Sequence, residues 1–182
     1  MDAVGIRRAV LVGTSSGGLV AEVVASSSSD RVSGLVLIST PATLADKPGV
    51  AEMWETIALL EDPLDRAFVE DFVRATSPER VPVGLMDTLV DESLKAPARV
   101  WKDTLRGLID TDATASLDRI TAPTLLIWGD HDPVVPRSDQ DTILNGIRGA
   151  GLVVYAGAGH SVHLEQPARL VNDLANFVAG LS

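Results

Sequence analysis

No cysteine occurs among the 182 residues, which excludes disulfides, a thiolate nucleophile and cysteine-ligated metal centres. Basic charge is short: 15 Lys and Arg stand against 25 Asp and Glu, for a net charge of -10. A surface of that sign repels nucleic acid and anionic membranes, so neither is expected as a partner. No apolar run approaches the roughly 20 residues that span a bilayer. The opening Met-Asp-Ala-Val-Gly-Ile-Arg-Arg lacks the apolar core and cleavage site of a secretory leader. With no cysteine to oxidise, a cytoplasmic location is expected. What is present, 46% hydrophobic and 22% charged residues, suits a folded chain long enough to bury a core.

Four short runs read as strands: Ala9–Val12, Val32–Ile38, Thr124–Trp128 and Leu152–Tyr155. They are nearly continuous in apolar residues, the pattern of strands buried on both faces of a parallel sheet. Helical stripes follow three of them. Leu19, Val20, Val23 and Val24 form one that stops at the Ser26–Ser29 run. Ser138 reads as the N-cap of a second, carrying Ile143, Leu144 and Ile147 and ending near Gly149. Leu170, Val171, Leu174, Phe177, Val178 and Leu181 form the third. Strands alternating with helices predict an α/β fold with a parallel sheet covered on both sides. The stretch from 41 to about 120 differs: it has no strong strand run, and helix-like segments broken at Pro63, Pro78, Pro82 and Pro97. It reads as a helical insertion, with Met53, Trp54, Met86 and Trp101 facing either an acyl pocket or, as the preferred reading, the insertion's own core; helical spacing does not separate the two. Trp128, ending a buried strand, reads as structural.

Where the first strand ends, Gly13-Thr14-Ser15-Ser16-Gly17 fits G-x-S-x-G between a strand and a helix. A nucleophile held on such a turn takes a strained backbone, and side chains at Gly13 and Gly17 are expected to collide with it. The competing reading is a plain tight turn. Partners for Ser15 follow the next strands: Gly129-Asp130-His131-Asp132-Pro133 after the third, and Gly157-Ala158-Gly159-His160-Ser161-Val162-His163 after the fourth. The order is Ser, Asp, His, each at the carboxyl end of a strand, where open α/β sheets build their sites. Asp130, Asp46 and His163 are rivals for the acid and base, with His163 placed at the start of the last helix. His131 reads as a loop residue. A metal site from His131, His160 and the aspartates is the weaker alternative, and no metal is expected.

With L-V-G-T-S-S-G-G, G-D-H-D-P-V-V-P and G-A-G-H-S-V-H-L-E-Q-P in place, the chain resembles the α/β-hydrolase superfamily, in its cap-bearing branch of esterases, lactonases and C–C hydrolases. The resemblance implies a core from 1–40 and 115–182 and a helical cap over 41–114. It implies Ser15 as nucleophile, His160 as base and Asp132 as the acid that orients it, with the Ser16 backbone N–H in the oxyanion hole. No cofactor is implied. The implied reaction is cleavage of a small ester or lactone through an acyl-enzyme. C–C bond hydrolysis, cofactor-free haloperoxidase chemistry and a non-catalytic ligand-binding or signalling role are the alternatives. Thr14 departs from the histidine that many relatives carry there.

Superfamily members carry further strands ahead of the nucleophile strand, and with them the loop that donates the second oxyanion N–H. No His-Gly motif of that loop occurs in this chain. The chain is therefore expected to be a fragment or a gene model begun at an internal methionine, with half of a split enzyme as the alternative. Self-association or a partner chain is expected along the exposed strand 9–12.

Overall fold

Four strands, β1 (Ala9–Thr14), β2 (Val32–Ile38), β3 (Thr124–Gly129) and β4 (Gly151–Tyr155), pair in parallel and in chain order. The register sets Val10 beside Gly34, Leu37 beside Leu126 and Ile127 beside Val153. This is a computed structural model, and it describes residues 1–45, 47–76, 82 and 84–181.

The order 1-2-3-4 explains which strands are buried. In β2, Leu35 and Leu37 meet α1 (Ser16–Ser27) and α6 (Arg137–Gly146) through Ala21, Ala25 and Ile143, with Ile147 just past the end of α6. Val36 and Ile38, pointing the other way, meet α7 (Val162–Glu165) and α8 (Pro167–Ala179) through Val162, Leu170, Leu174 and Phe177. Each fully buried Leu or Ile contributes about 2 kcal/mol, so β2 and β3 form the centre of the fold. The outer strands do not match the expectation of burial on both faces. β1 and β4 are sheet edges, and Val12 is 52% exposed. An apolar run therefore marks a strand without saying how many of its sides are covered.

Helix ends differ from the sequence reading in two places. α6 begins at Arg137, directly after Pro136, and Ser138 lies inside its first turn rather than capping it. Proline's fixed φ and lack of an N–H suit the residue just ahead of a helix better than the interior. Gly149 takes φ 80 three residues past the last helical position. The final helical region is split as well: α7 ends before Gln166, whose φ -131 and ψ 54 lie outside the helical region disfavoured ahead of proline, and α8 starts at Pro167. His163 therefore sits on a separate four-residue helix, not at the start of the last one. At the other end of the chain, a 3-10 turn over Asp2–Val4 precedes β1. Arg31 holds that segment, bonding the Asp2 carboxylate and the carbonyls of Ile6 and Arg7.

The chain divides into two units, Met1–Ala42 with Ala113–Ser182, and Thr43–Asp112. The second contains α2 (Val50–Ala58), α3 (Arg66–Thr76), α4 (Leu85–Ser93) and α5 (Ala98–Asp110). Val69, Val73 and Val90 form its core, with Phe68, Met86 and Trp101 packed against them. The Trp101 ring meets Phe72 and Phe68 edge-on at 5.0 and 5.8 Å. Of the four large side chains assigned to this core, Met86 and Trp101 belong to it. Met53 is exposed, and Trp54 is half-buried beneath the Arg106 guanidinium. Asp62, just before Pro63, accepts a bond from Ala98 N at 2.8 Å and so joins the start of α5 to the turn after α2. Pro78 lies outside the described residues. Among those described, no helix is long and apolar enough to cross a membrane.

Candidate active site

At the end of β1 the chain turns into α1 within one residue. Ser15 makes that turn with φ 51 and ψ -121, a conformation that costs roughly 1–3 kcal/mol for a residue with a side chain. Two backbone bonds hold it there: Ser15 N donates to Ile38 O at 2.8 Å, and Gly18 N donates to Ser15 O at 2.9 Å. The sharpness of the turn brings α1 onto β1. A Cβ on Gly13 would stand 2.5 Å from Gly17 O and 2.6 Å from Gly18 Cα, so no side chain fits at Gly13. Gly17 behaves otherwise. A Cβ there meets nothing within 4 Å, which corrects the expectation that both motif glycines are sterically required. Gly17 lies in the first turn of α1, where its side-chain direction is open. Gly17→Ala is accordingly expected to leave the fold intact and to raise stability by up to about 1 kcal/mol through helix propensity, read as a small rise in Tm.

Ser16 opens α1, so its N–H is among the first-turn amides that have no acceptor within the helix. Those amides carry the positive end of the helix dipole and favour an anion beside Ser15.

Past β3, the loop 130–136 is fixed by Asp132. Its Oδ1 accepts from Val134 N at 2.8 Å and from Val135 N at 2.9 Å. The same carboxylate meets His160 Nδ1 at 2.9 Å through Oδ2 and at 3.1 Å through Oδ1. Both side chains are buried, that of Asp132 completely. A carboxylate with backbone N–H donors can only accept, so Nδ1 carries the hydrogen and Nε2 is left as the basic ring nitrogen. Asp130 acts elsewhere. Its Oδ1 accepts from Gly157 N at 2.6 Å, joining the loop after β3 to the loop after β4. His131 is exposed, and its backbone N–H adds a second tie, to Ala158 O at 2.9 Å. The two loops are so close that a Cβ on Gly129 would lie 2.3 Å from the carbonyl oxygens of both Ala158 and Gly159.

His163 is half-buried, and its Nδ1 has no hydrogen-bond partner. Burial, and then the neighbouring His160, hold its pKa below the usual histidine value. Asp46 lies outside the described residues. Of the sequence-selected acids and bases, the structure thus joins Asp132 to His160 and gives Asp130 to loop bracing. Among the described residues, no group of three or more His, Asp and Glu is placed to hold a metal ion.

Two contributors escaped the sequence reading. Glu165 accepts the Gly159 N–H on both carboxylate oxygens at 3.0 Å, fixing the backbone beside His160. Its signal is the acid five residues past His160, in H-S-V-H-L-E. Ser39, the residue after β2, is buried and takes φ 46, the only positive φ outside glycine besides Ser15 among the described residues. Thr14 pairs with Ile38, so Ser39 and Ser15 follow neighbouring strand ends. Nothing in the local sequence marks Ser39.

A model of the alpha/beta hydrolase family matches residues 1–174. Monoacylglycerol lipase abhd6-A of Xenopus laevis is 28% identical over 189 residues, covering 94% of this chain and 55% of that protein. The 2-hydroxymuconate semialdehyde hydrolase of Pseudomonas sp. (strain CF600) is 28% identical over 191 residues, covering 98% of this chain and 65% of that one. Among solved structures, a hydrolase from Pseudomonas aeruginosa PA01 is similar with a TM-score of 0.85 and 28% identity, over 97% of this chain and 67% of its own. The chain spans about half the length of the monoacylglycerol lipases it matches.

Proposed function

The chain belongs to the alpha/beta hydrolase family, and from that premise we propose that it is a serine hydrolase that cleaves a small carboxylic ester or lactone through an acyl-enzyme on Ser15. The observation that carries this reading is the buried Asp132–His160 pair, which leaves the basic Nε2 to act at the carboxyl end of the sheet that also presents strained Ser15. Ser15 Oγ attacks the acyl carbonyl as His160 Nε2 takes its proton, and the imidazolium then returns that proton to the leaving oxygen. The Ser16 N–H and the α1 dipole stabilise the oxyanion. A water activated by the same Nε2 frees Ser15. The helical unit 43–112 takes the role of a cap that selects the acyl and alcohol parts.

The similarity to the 2-hydroxymuconate semialdehyde hydrolase favours a second reading, C–C bond hydrolysis on the same three residues. Two measurements separate these from a ligand-binding role. In a form extended by the oxyanion-loop segment that the resemblance implies, a fluorophosphonate probe should label Ser15 covalently, located by mass spectrometry of the peptide. Short-chain p-nitrophenyl esters and a monoacylglycerol should then be turned over ahead of a 2-hydroxymuconate semialdehyde. Absence of labelling removes the serine hydrolase reading, and preference for the semialdehyde replaces ester cleavage by the second.

The two aspartates of G-D-H-D should part clearly in the same assay. Asp132→Asn leaves Nδ1 facing an amide that can present its N–H₂, so the imidazole loses its fixed tautomer. We expect a fall in kcat of at least 10²-fold, on the order seen for such acids. Asp130→Asn retains an acceptor for Gly157 N and should keep kcat within about threefold. A larger loss in Asp130→Asn than in Asp132→Asn would exchange their roles.

A further inference from the structure

Three buried acceptor atoms on the α1 and α6 side of the sheet lack a donor: Oε1 and Oε2 of Glu22, and Oε1 of Gln140. Glu22 is 1% exposed and Gln140 is fully buried. An ionised carboxylate left that way is expensive. Thr40 links the two helices: Gln140 bonds its backbone, and its side chain lies against α1. Gln140 Nε2 donates to Thr40 O at 2.8 Å. The Thr40 side chain packs onto bare Gly18 so closely that a Cβ on Gly18 would fall 1.9 Å from its Oγ1. Glu22 lies one turn past Gly18 on the same face of α1, and helical side chains lean back toward the N-terminus. A carboxyl at that position can reach back over Gly18 toward the side of Thr40 that Gln140 also holds. Two buried acceptors that both lack a donor can be satisfied together by one shared proton.

We infer that Glu22 is a neutral acid whose O–H is donated to Gln140 Oε1, a buried carboxyl–amide latch between the helix that follows Ser15 and the helix that follows the Asp132 loop. The latch does not depend on the hydrolase reading. Burial alone raises the Glu22 pKa to about 8. Other charges are absent from α1, β1 and β2. The turns packed on α1 carry Asp30, Arg31, Asp118 and Arg119. Asp30, Asp118 and Arg119 are exposed, and Arg31 is held by the Asp2 segment. On α6, Arg137 bonds Asp141, and Asp139 accepts from Ala42 N at 3.2 Å.

The sign follows from the raised value. Between the ordinary carboxylate range and about pH 8, the folded chain keeps a proton that the unfolded chain has lost. Stability is then highest below that window, falls as pH rises through it, and levels off above. In Glu22→Gln an amide N–H replaces the O–H, and no proton is needed. The Tm of the unmodified protein is expected to fall relative to Glu22→Gln by roughly 10 °C between pH 5 and pH 9. Parallel profiles would overturn the inference. Because a buried variant can fail to fold, the ¹³Cδ shift of Glu22 in the unmodified chain is the direct measurement. A midpoint above pH 7 supports the neutral acid, and one in the ordinary carboxylate range overturns it. Glu22→Leu and Gln140→Leu test the partner, since each alone strands a polar group and the pair together strands none. The double variant should be no less stable than the worse single one, whereas additive losses overturn the pairing.

Discussion

Ser15→Ala is expected to abolish fluorophosphonate labelling and to lower kcat for ester hydrolysis on the order of 10³-fold or more. The serine holds its half-buried place on the turn with strained backbone at φ 51, and alanine at the same place keeps the turn while removing the attacking oxygen. The turn's supports are all backbone: Ser15 N to Ile38 O, and Gly18 N to Ser15 O. The variant should therefore fold with an unchanged Tm, which separates loss of chemistry from loss of structure. His160→Ala should cost about as much, because an unassisted hydroxyl is a weak nucleophile. Combining the two should cost little more than either alone, since they act as one unit. Labelling rate and single-turnover hydrolysis, measured on all three variants, check this. Multiplicative losses would show that His160 works apart from Ser15.

Gly129→Ala is expected to be the most damaging small change in the sheet. The added methyl would lie 2.3 Å from two carbonyl oxygens, of Ala158 and Gly159, and neither is a side chain that can swing aside. The loops after β3 and β4 must separate instead, straining the His131 N to Ala158 O and Gly157 N to Asp130 Oδ1 bonds. A loss of about 3 kcal/mol is expected, or a fall in Tm of roughly 10 °C. Because Asp132 and His160 ride on those two loops, labelling of Ser15 should slow even in the fraction that stays folded. Thermal denaturation beside Gly17→Ala, which adds the same methyl in open space, is the internal comparison. A Tm within about 2 °C of the parent would show that the loops have slack the structure does not display.

The strand runs were legible because each is apolar along its length and ends in small or turn-forming residues, as Val32–Ile38 does at both ends. The sheet's order was not, since an edge strand such as β1 and a central one such as β2 bear the same apolar signature. Among the site residues, Ser15, Asp132 and His160 stood out because each follows a strand within a glycine-rich turn. The choice of Asp132 over Asp130 rests on the family resemblance, because the residues alone leave both open. It depends on which carboxylate faces Nδ1 across 28 positions of sequence, a matter of loop geometry rather than spacing. Glu165 and Ser39 were missed for the same reason: one acts on a backbone N–H, the other through its own φ. Glu22 sits in a run of apolar and small residues where a helix-stripe reading looks past one acid.

The insertion of 43–112 between β2 and β3 also bears on how the chain reaches this state. β1 and β2 are joined through a single helix, so their pairing closes a short loop and can form early. β2 and β3 pair only after the chain closes across the 85 residues between Ile38 and Thr124, so that Leu35 meets Thr124 and Ile38 meets Ile127, and closing that span is entropically slower and raises the contact order. If α2–α5 consolidate first around Val69, Val73 and Val90, the effective span shrinks. Mutations in that helical core should then slow assembly of the sheet that holds Asp132 and His160, although none of those side chains belongs to it.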